Sequence, residues 1–122
     1  TEAKKEIEDE AIRRAITHYK KDYKVKSVEH ENLGWDLTIT HRKTGEKLYI
    51  EVKGTKRPTY HFFLSHNEFG AMIKHPKKWI LFIVKDIGQK TDSPPKILNA
   101  TEAEIALAPF TYEGEHPPKK RR

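Results

Sequence analysis

Residues 35–54 read Trp-Asp-Leu-Thr-Ile-Thr-His-Arg-Lys-Thr-Gly-Glu-Lys-Leu-Tyr-Ile-Glu-Val-Lys-Gly, and their alternation decides the fold. Trp35, Leu37 and Ile39 share one face, and Asp36, Thr38 and Thr40 take the other. After Thr44-Gly45 the pattern resumes, with Leu48, Ile50 and Val52 apolar and Glu51 and Lys53 opposite. A period of two on both sides of a turn pair predicts a β-hairpin with one apolar face. An even-numbered loop sets Leu37 against Val52 and Ile39 against Ile50, whereas an odd loop mixes the faces. In that register Asp36 lies across from Lys53, and Thr38 across from Glu51.

The flanking segments complete the layout. Ile7, Ala11, Ile12, Ala15, Ile16 and Tyr19 recur at three- and four-residue steps, which predicts a helix over residues 4–21. Strands are expected at 25–30, 35–41, 46–53 and 60–64. Ser65-x-x-Glu68 has capping-box spacing, with Leu64 and Phe69 placed as a staple, so a second helix should start there and stop before Pro76. The unbroken apolar run 79–84 predicts a central strand buried on both faces. A loop at 88–95, a short strand at 96–98 and a helical piece at 101–107 follow. Helix, three-strand meander, helix and strand predict one α/β domain over residues 1–116 with a mixed central sheet.

Composition narrows the classes. Of 122 residues, 24 are Lys or Arg and 18 are Asp or Glu, a formal net charge of +6. Residues 117–122 contain Lys119, Lys120, Arg121 and Arg122 and no acid, and are expected to form a disordered basic tail. The rest is nearly balanced, so overall charge alone does not argue for a polyanion partner. With no cysteine there is no disulfide framework, thiolate zinc site or Cys nucleophile. No run of about 18 apolar residues is present, so no membrane partner is expected and the domain reads as soluble and cytoplasmic.

In the expected hairpin, Asp36, Glu51 and Lys53 gather near one end of a polar face. Clustered carboxylates repel unless something compensates them, and Mg²⁺ commonly binds through one or two carboxylates plus water and phosphate. A neighbouring lysine can position or help deprotonate an attacking water, or stabilise charge in the transition state. A cross-strand ion pair between Asp36 and Lys53 on a solvated face accounts for the same residues. On the first helix, Glu8 falls about 100° round from Ile7, in the middle of the sheet-facing stripe. A carboxylate buried there costs several kcal/mol unless paired, cation-bound, or released by fraying of the first turn.

These residues, in this order, resemble the PD-(D/E)XK nuclease superfamily. The resemblance is closest to the branch found at the C-termini of bacterial superfamily-two helicases and of the plant protein NO VEIN. It rests on Glu8-x-x-Ala11, Glu31-Asn32-Leu33-Gly34-Trp35-Asp36-Leu37, Tyr49-Ile50-Glu51-Val52-Lys53-Gly54, Phe63-Leu64-Ser65-x-Asn67-Glu68, the strand 79–84 and Pro109-Phe110. Gly34-Trp35-Asp36 stands where the superfamily signature has Pro-Asp. The resemblance implies a restriction-endonuclease-like core. It makes Asp36 and Glu51 metal ligands, with the Val52 carbonyl as a third oxygen, Lys53 the catalytic lysine and Glu8 the first-helix glutamate. Mg²⁺ is the implied cofactor, with Mn²⁺ as an alternative. The implied reaction is hydrolysis of phosphodiester bonds in nucleic acid, DNA before RNA, leaving a 5′-phosphate. A helicase or restriction partner fits, and so does a homodimer. A non-catalytic nucleic-acid-binding or docking module on the same fold is the alternative.

Lys56, Arg57, Tyr60 and His61 directly follow the cluster and can hold phosphate or stack on a base, or form a plain solvated loop. His41, Arg42 and Lys43 at the hairpin tip share that ambiguity. Ser65 and Glu68 are fully accounted for by capping, and Asn67 by exposure in a first helical turn. The seven histidines form no His-Glu-x-x-His pattern, and no nucleophile elbow or phosphate-cradling glycine loop occurs.

Overall fold

The first helix starts on a side-chain cap: the Thr1 hydroxyl accepts the Lys4 N–H at 3.2 Å, and α1 runs Glu2–Tyr19. In this computed structural model residues 1–108 and 111–118 are described, so the basic residues 119–122 and the Pro109-Phe110 block lie outside them. The strands are β1 (Tyr23–Ser27), β2 (Leu37–His41), β3 (Lys47–Gly54), β4 (Tyr60–Phe63), β5 (Trp79–Val84), β6 (Lys96–Asn99) and β7 (Glu113–His116). Helix α2 (His66–Lys74) lies between β4 and β5, and α3 (Ala100–Ala106) between β6 and β7. The main sheet has the order β1-β2-β3-β5-β6. β3 and β5 pair in parallel, and the other neighbours are antiparallel. The expected α/β architecture, with its mixed sheet, is therefore present.

Pleat parity divides the core into two layers. Ile50, Val52, Phe82 and Val84 pack with Ala11, Ala15 and Tyr19 of α1. Trp79, Leu81 and Ile83 point to the opposite face, against Met72 of α2, Ala103 of α3, and Phe62 and Leu64. β5 is buried almost throughout, as its apolar run requires between two helical layers. Glu51 and Lys53 have the parity of Leu81 and Ile83, so they project toward α2.

The hairpin register differs from the expected one by two residues: Leu37 faces Ile50 and Ile39 faces Leu48. The turn explains the difference. The His41 Nδ1 accepts the N–H groups of Lys43 and Thr44, each at 3.2 Å, and His41 N–H donates to the Glu46 carbonyl at 2.8 Å. The side chain stabilises a four-residue loop in place of the tight Thr44-Gly45 turn. Apolar parity survives a slip of two, so alternation alone could not exclude it.

β4 is a strand as expected, but it leaves the main sheet and pairs with β7. β7 reads Glu-Gly-Glu-His and has no apolar alternation to announce it. The residues before Asp36 lie against α2: Gly34 has φ +97°, and a Cβ there would stand 2.5 Å from the Ala71 Cβ and 2.8 Å from the Asn67 carbonyl oxygen. Gly34→Ala is expected to cost roughly 2–4 kcal/mol through backbone strain and overpacking, read as a lower urea midpoint at unchanged m-value.

Candidate active site

The carboxyl end of β3 opens on a cleft of about 460 Å³ that residues of α1, β4 and α2 also line. That position is where open α/β sheets commonly seat ligands. Asp36 sits just before β2, beside Glu51 in the observed register, and its Oδ2 accepts the Val52 N–H at 2.9 Å. The expected Asp36–Lys53 cross-strand pair is replaced by a different network. Lys53 Nζ donates to Glu68 Oε1 at 2.8 Å and stands 3.4 Å from Glu51 Oε2. The register sets Asp36 across from Glu51, and both share the cleft with Glu68. Three carboxyl groups thus crowd one ammonium.

Burial sets the electrostatics. Glu51 is only 2% exposed, and burial, reinforced by Asp36 and Glu68, pushes its carboxyl well above the ordinary glutamate range despite Lys53. Burial also raises Asp36, partly offset by the Val52 N–H. For Glu68, burial is outweighed by the Lys53 ammonium and the Ser65 N–H, leaving it lowered. Burial likewise works against the Lys53 charge, but Glu51 and Glu68 outweigh it and hold the ammonium above its usual value. Burial thus opposes ionisation of Glu51 and Asp36, while the neighbouring carboxylates favour the charged form of Lys53.

Glu68 is the residue the capping explanation left incomplete. The capping box is present, with Ser65 Oγ accepting the Glu68 N–H at 3.1 Å and Glu68 Oε1 accepting the Ser65 N–H at 2.8 Å. That same Oε1 also receives Lys53. The sequence signal was ambiguous because Ser-x-x-Glu already had a sufficient local cause.

Glu8 lines the cleft, but it is exposed, so neither expectation for it holds in full. It is not buried against the sheet, and the helix is not frayed there, since α1 begins at Glu2. Its turn overhangs the end of the sheet instead. Gly54 brings that turn close: a Cβ at 54 would stand 2.9 Å from the Ala11 Cβ and 3.1 Å from the Ile7 carbonyl oxygen.

The family model described as Protein NO VEIN, C-terminal, matches residues 7–98. The chain belongs to this family. The match to the NO VEIN C-terminal family covers Glu8, Asp36, Glu51, Val52, Lys53 and Glu68 together. No curated protein matches, and no solved structure matches.

The four residues proposed to touch nucleic acid separate in this NO VEIN C-terminal domain. Arg57 lines the cleft and Lys56 is exposed outside it. The Tyr60 hydroxyl donates to the Pro94 carbonyl at 2.6 Å, and its ring receives Lys85 at 4.8 Å, so its contacts are internal. His61 lines the cleft but is buried and bonded to Glu113 through Nε2. Phe63, which sequence reasoning passed over, lines the cleft while 58% exposed. Among the described residues no helix is long and apolar enough to cross a membrane.

Among the described residues no three His, Asp or Glu side chains form a ready-made metal cage. The donors present still suit a hard cation that keeps several waters. Asp36 and Glu51 offer carboxylate oxygens, and a strand residue's carbonyl leaves on the same side as its N–H, so the Val52 carbonyl emerges beside Asp36. Two carboxylates with water and substrate phosphate is the usual Mg²⁺ arrangement, whereas Ca²⁺ takes six to eight oxygens.

Proposed function

We propose that this chain is a divalent-metal-dependent nuclease of PD-(D/E)XK type that hydrolyses phosphodiester bonds in nucleic acid, DNA first. The observation that carries the reading is the pairing of Asp36 and Glu51 beside Lys53, in a cleft at the carboxyl end of β3. Asp36, Glu51 and the Val52 carbonyl would hold Mg²⁺ or Mn²⁺, which supplies Lewis-acid polarisation of the phosphate and a more acidic bound water.

The chain's own groups do the rest. Lys53 keeps its proton on Nζ and offers positive charge to a non-bridging phosphate oxygen as the attack proceeds. Glu68 fixes that ammonium from the α2 side. Glu8, on the opposite wall, can accept hydrogen bonds from ordered water. Water oxygen bonds to phosphorus, the P–O3′ bond breaks, and a 5′-phosphate and a 3′-hydroxyl result. A helicase or restriction partner that presents the strand fits this activity, as does action from the cytoplasm.

Titration calorimetry with Mg²⁺ tests the reading. The wild-type chain should bind Mg²⁺, and Asp36→Ala should weaken that binding at least about tenfold, with parallel loss of plasmid nicking. Equal Mg²⁺ binding by both proteins would overturn the proposed ligand set. Metal-independent DNA retention that survives Asp36→Ala would favour the non-catalytic docking module.

A further inference from the structure

Phe63 is the large aromatic residue on β4 that the core does not use. Its neighbour Phe62 is 2% exposed, whereas Phe63 is 58% exposed and opens onto the cleft. The His61 ring braces it edge-on, with centroids 4.8 Å apart and planes at 76°, and His61 is itself held by Glu113. The Phe63 face is thus presented on a braced strand. Lys4 and Arg57 line the same cleft, and among the described residues neither side chain has an ion-pair partner. Two unpaired cations, an apolar aromatic plate and a recessed acidic floor therefore share one nucleotide-scale space, with Glu8 and Glu29 also on its lining.

A base inside a duplex is stacked on both faces and has no face to give Phe63. An unpaired base does, and base–aromatic stacking tolerates any sequence. We infer that the cleft takes an unpaired nucleic-acid strand, with Phe63 stacking on one base while Lys4 and Arg57 hold flanking phosphates. This inference rests on the nucleic-acid reading above and specifies its substrate class.

Fluorescence anisotropy on the full chain tests it, using a labelled oligothymidylate of about 15 nucleotides and a duplex of equal length, with EDTA present so that no strand is cut. The oligothymidylate should bind more tightly than the duplex. Phe63→Ala should weaken it roughly tenfold with little effect on the duplex, and Phe63→Trp should retain affinity. Equal oligothymidylate binding by wild type and Phe63→Ala, no oligothymidylate binding, or a preference for duplex overturns the inference. Cleavage in Mg²⁺, run in parallel, separates the two failures. Phe63-dependent binding without cleavage sinks the nuclease reading alone, and cleavage with a Phe63-independent duplex preference sinks this inference alone.

Discussion

Lys53→Ala is expected to lower Mg²⁺-dependent nicking of plasmid DNA by roughly 10²–10³-fold, the usual cost of removing one preorganised charge-stabilising group. The effect should fall on kcat, because the ammonium is needed most when negative charge gathers on the phosphate. Losing Lys53 also leaves Glu51 and Glu68 without their cation. Stability should drop by roughly 1–3 kcal/mol, less than for a fully buried pair because the lysine is partly exposed. Lys53→Arg separates charge from position. A guanidinium keeps the positive charge and most of the stability, but its planar fork does not reproduce a compact ammonium held by Glu68, so cleavage should remain low. Single-turnover nicking with far-UV circular dichroism on the same preparations checks both. Wild-type rates in both variants would locate the chemistry elsewhere.

Glu51→Gln should abolish the same cleavage and yet stabilise the metal-free fold. Glu51 holds its proton more tightly folded than unfolded, so the native state binds more protons above the ordinary value of 4.5. Stability therefore falls as pH rises from 4.5 toward the raised folded value, and Asp36 contributes in the same direction. Glutamine removes that penalty and leaves the Lys53–Glu68 pair in place. In EDTA at pH 7 the variant should melt above the wild type, with a gain of roughly 1–2 kcal/mol that shrinks toward pH 4.5. Saturating Mg²⁺ should reverse the order, since a ligand at about 100 times its Kd adds about 2.7 kcal/mol to a protein that binds it. Thermal melts of both proteins, with and without Mg²⁺, at two pH values decide it. A wild type that melts above Glu51→Gln in EDTA would show that the glutamate is a structural ion-pair partner.

The legible parts of this chain are those where one local cause dominates. The run 79–84 could only be a buried strand, and the Ser65 cap fixed the start of α2. The hairpin's parity was legible for the same reason, but its register was not, because the His41 side chain rather than the apolar pattern sets the loop. That two-residue difference moves Asp36 from Lys53 to Glu51 and turns an expected ion pair into a carboxyl pair. Glu68 was hidden behind its adequate role as a cap, and Phe63 behind the hydrophobic pattern of a strand. β7 had no pattern to read, since pairing with β4 rather than its own composition makes it a strand.

The single Glu68 oxygen shared by the Ser65 amide and the Lys53 ammonium has a thermodynamic consequence. Drawing the amine toward an incoming phosphate leaves the Ser65 amide as the sole donor of the two on that oxygen, so its bond should tighten and the first turn of α2 with it. The exchange rate of the Ser65 backbone proton, one shared acceptor away from the lysine, thus becomes a gauge of how fully the cleft is loaded.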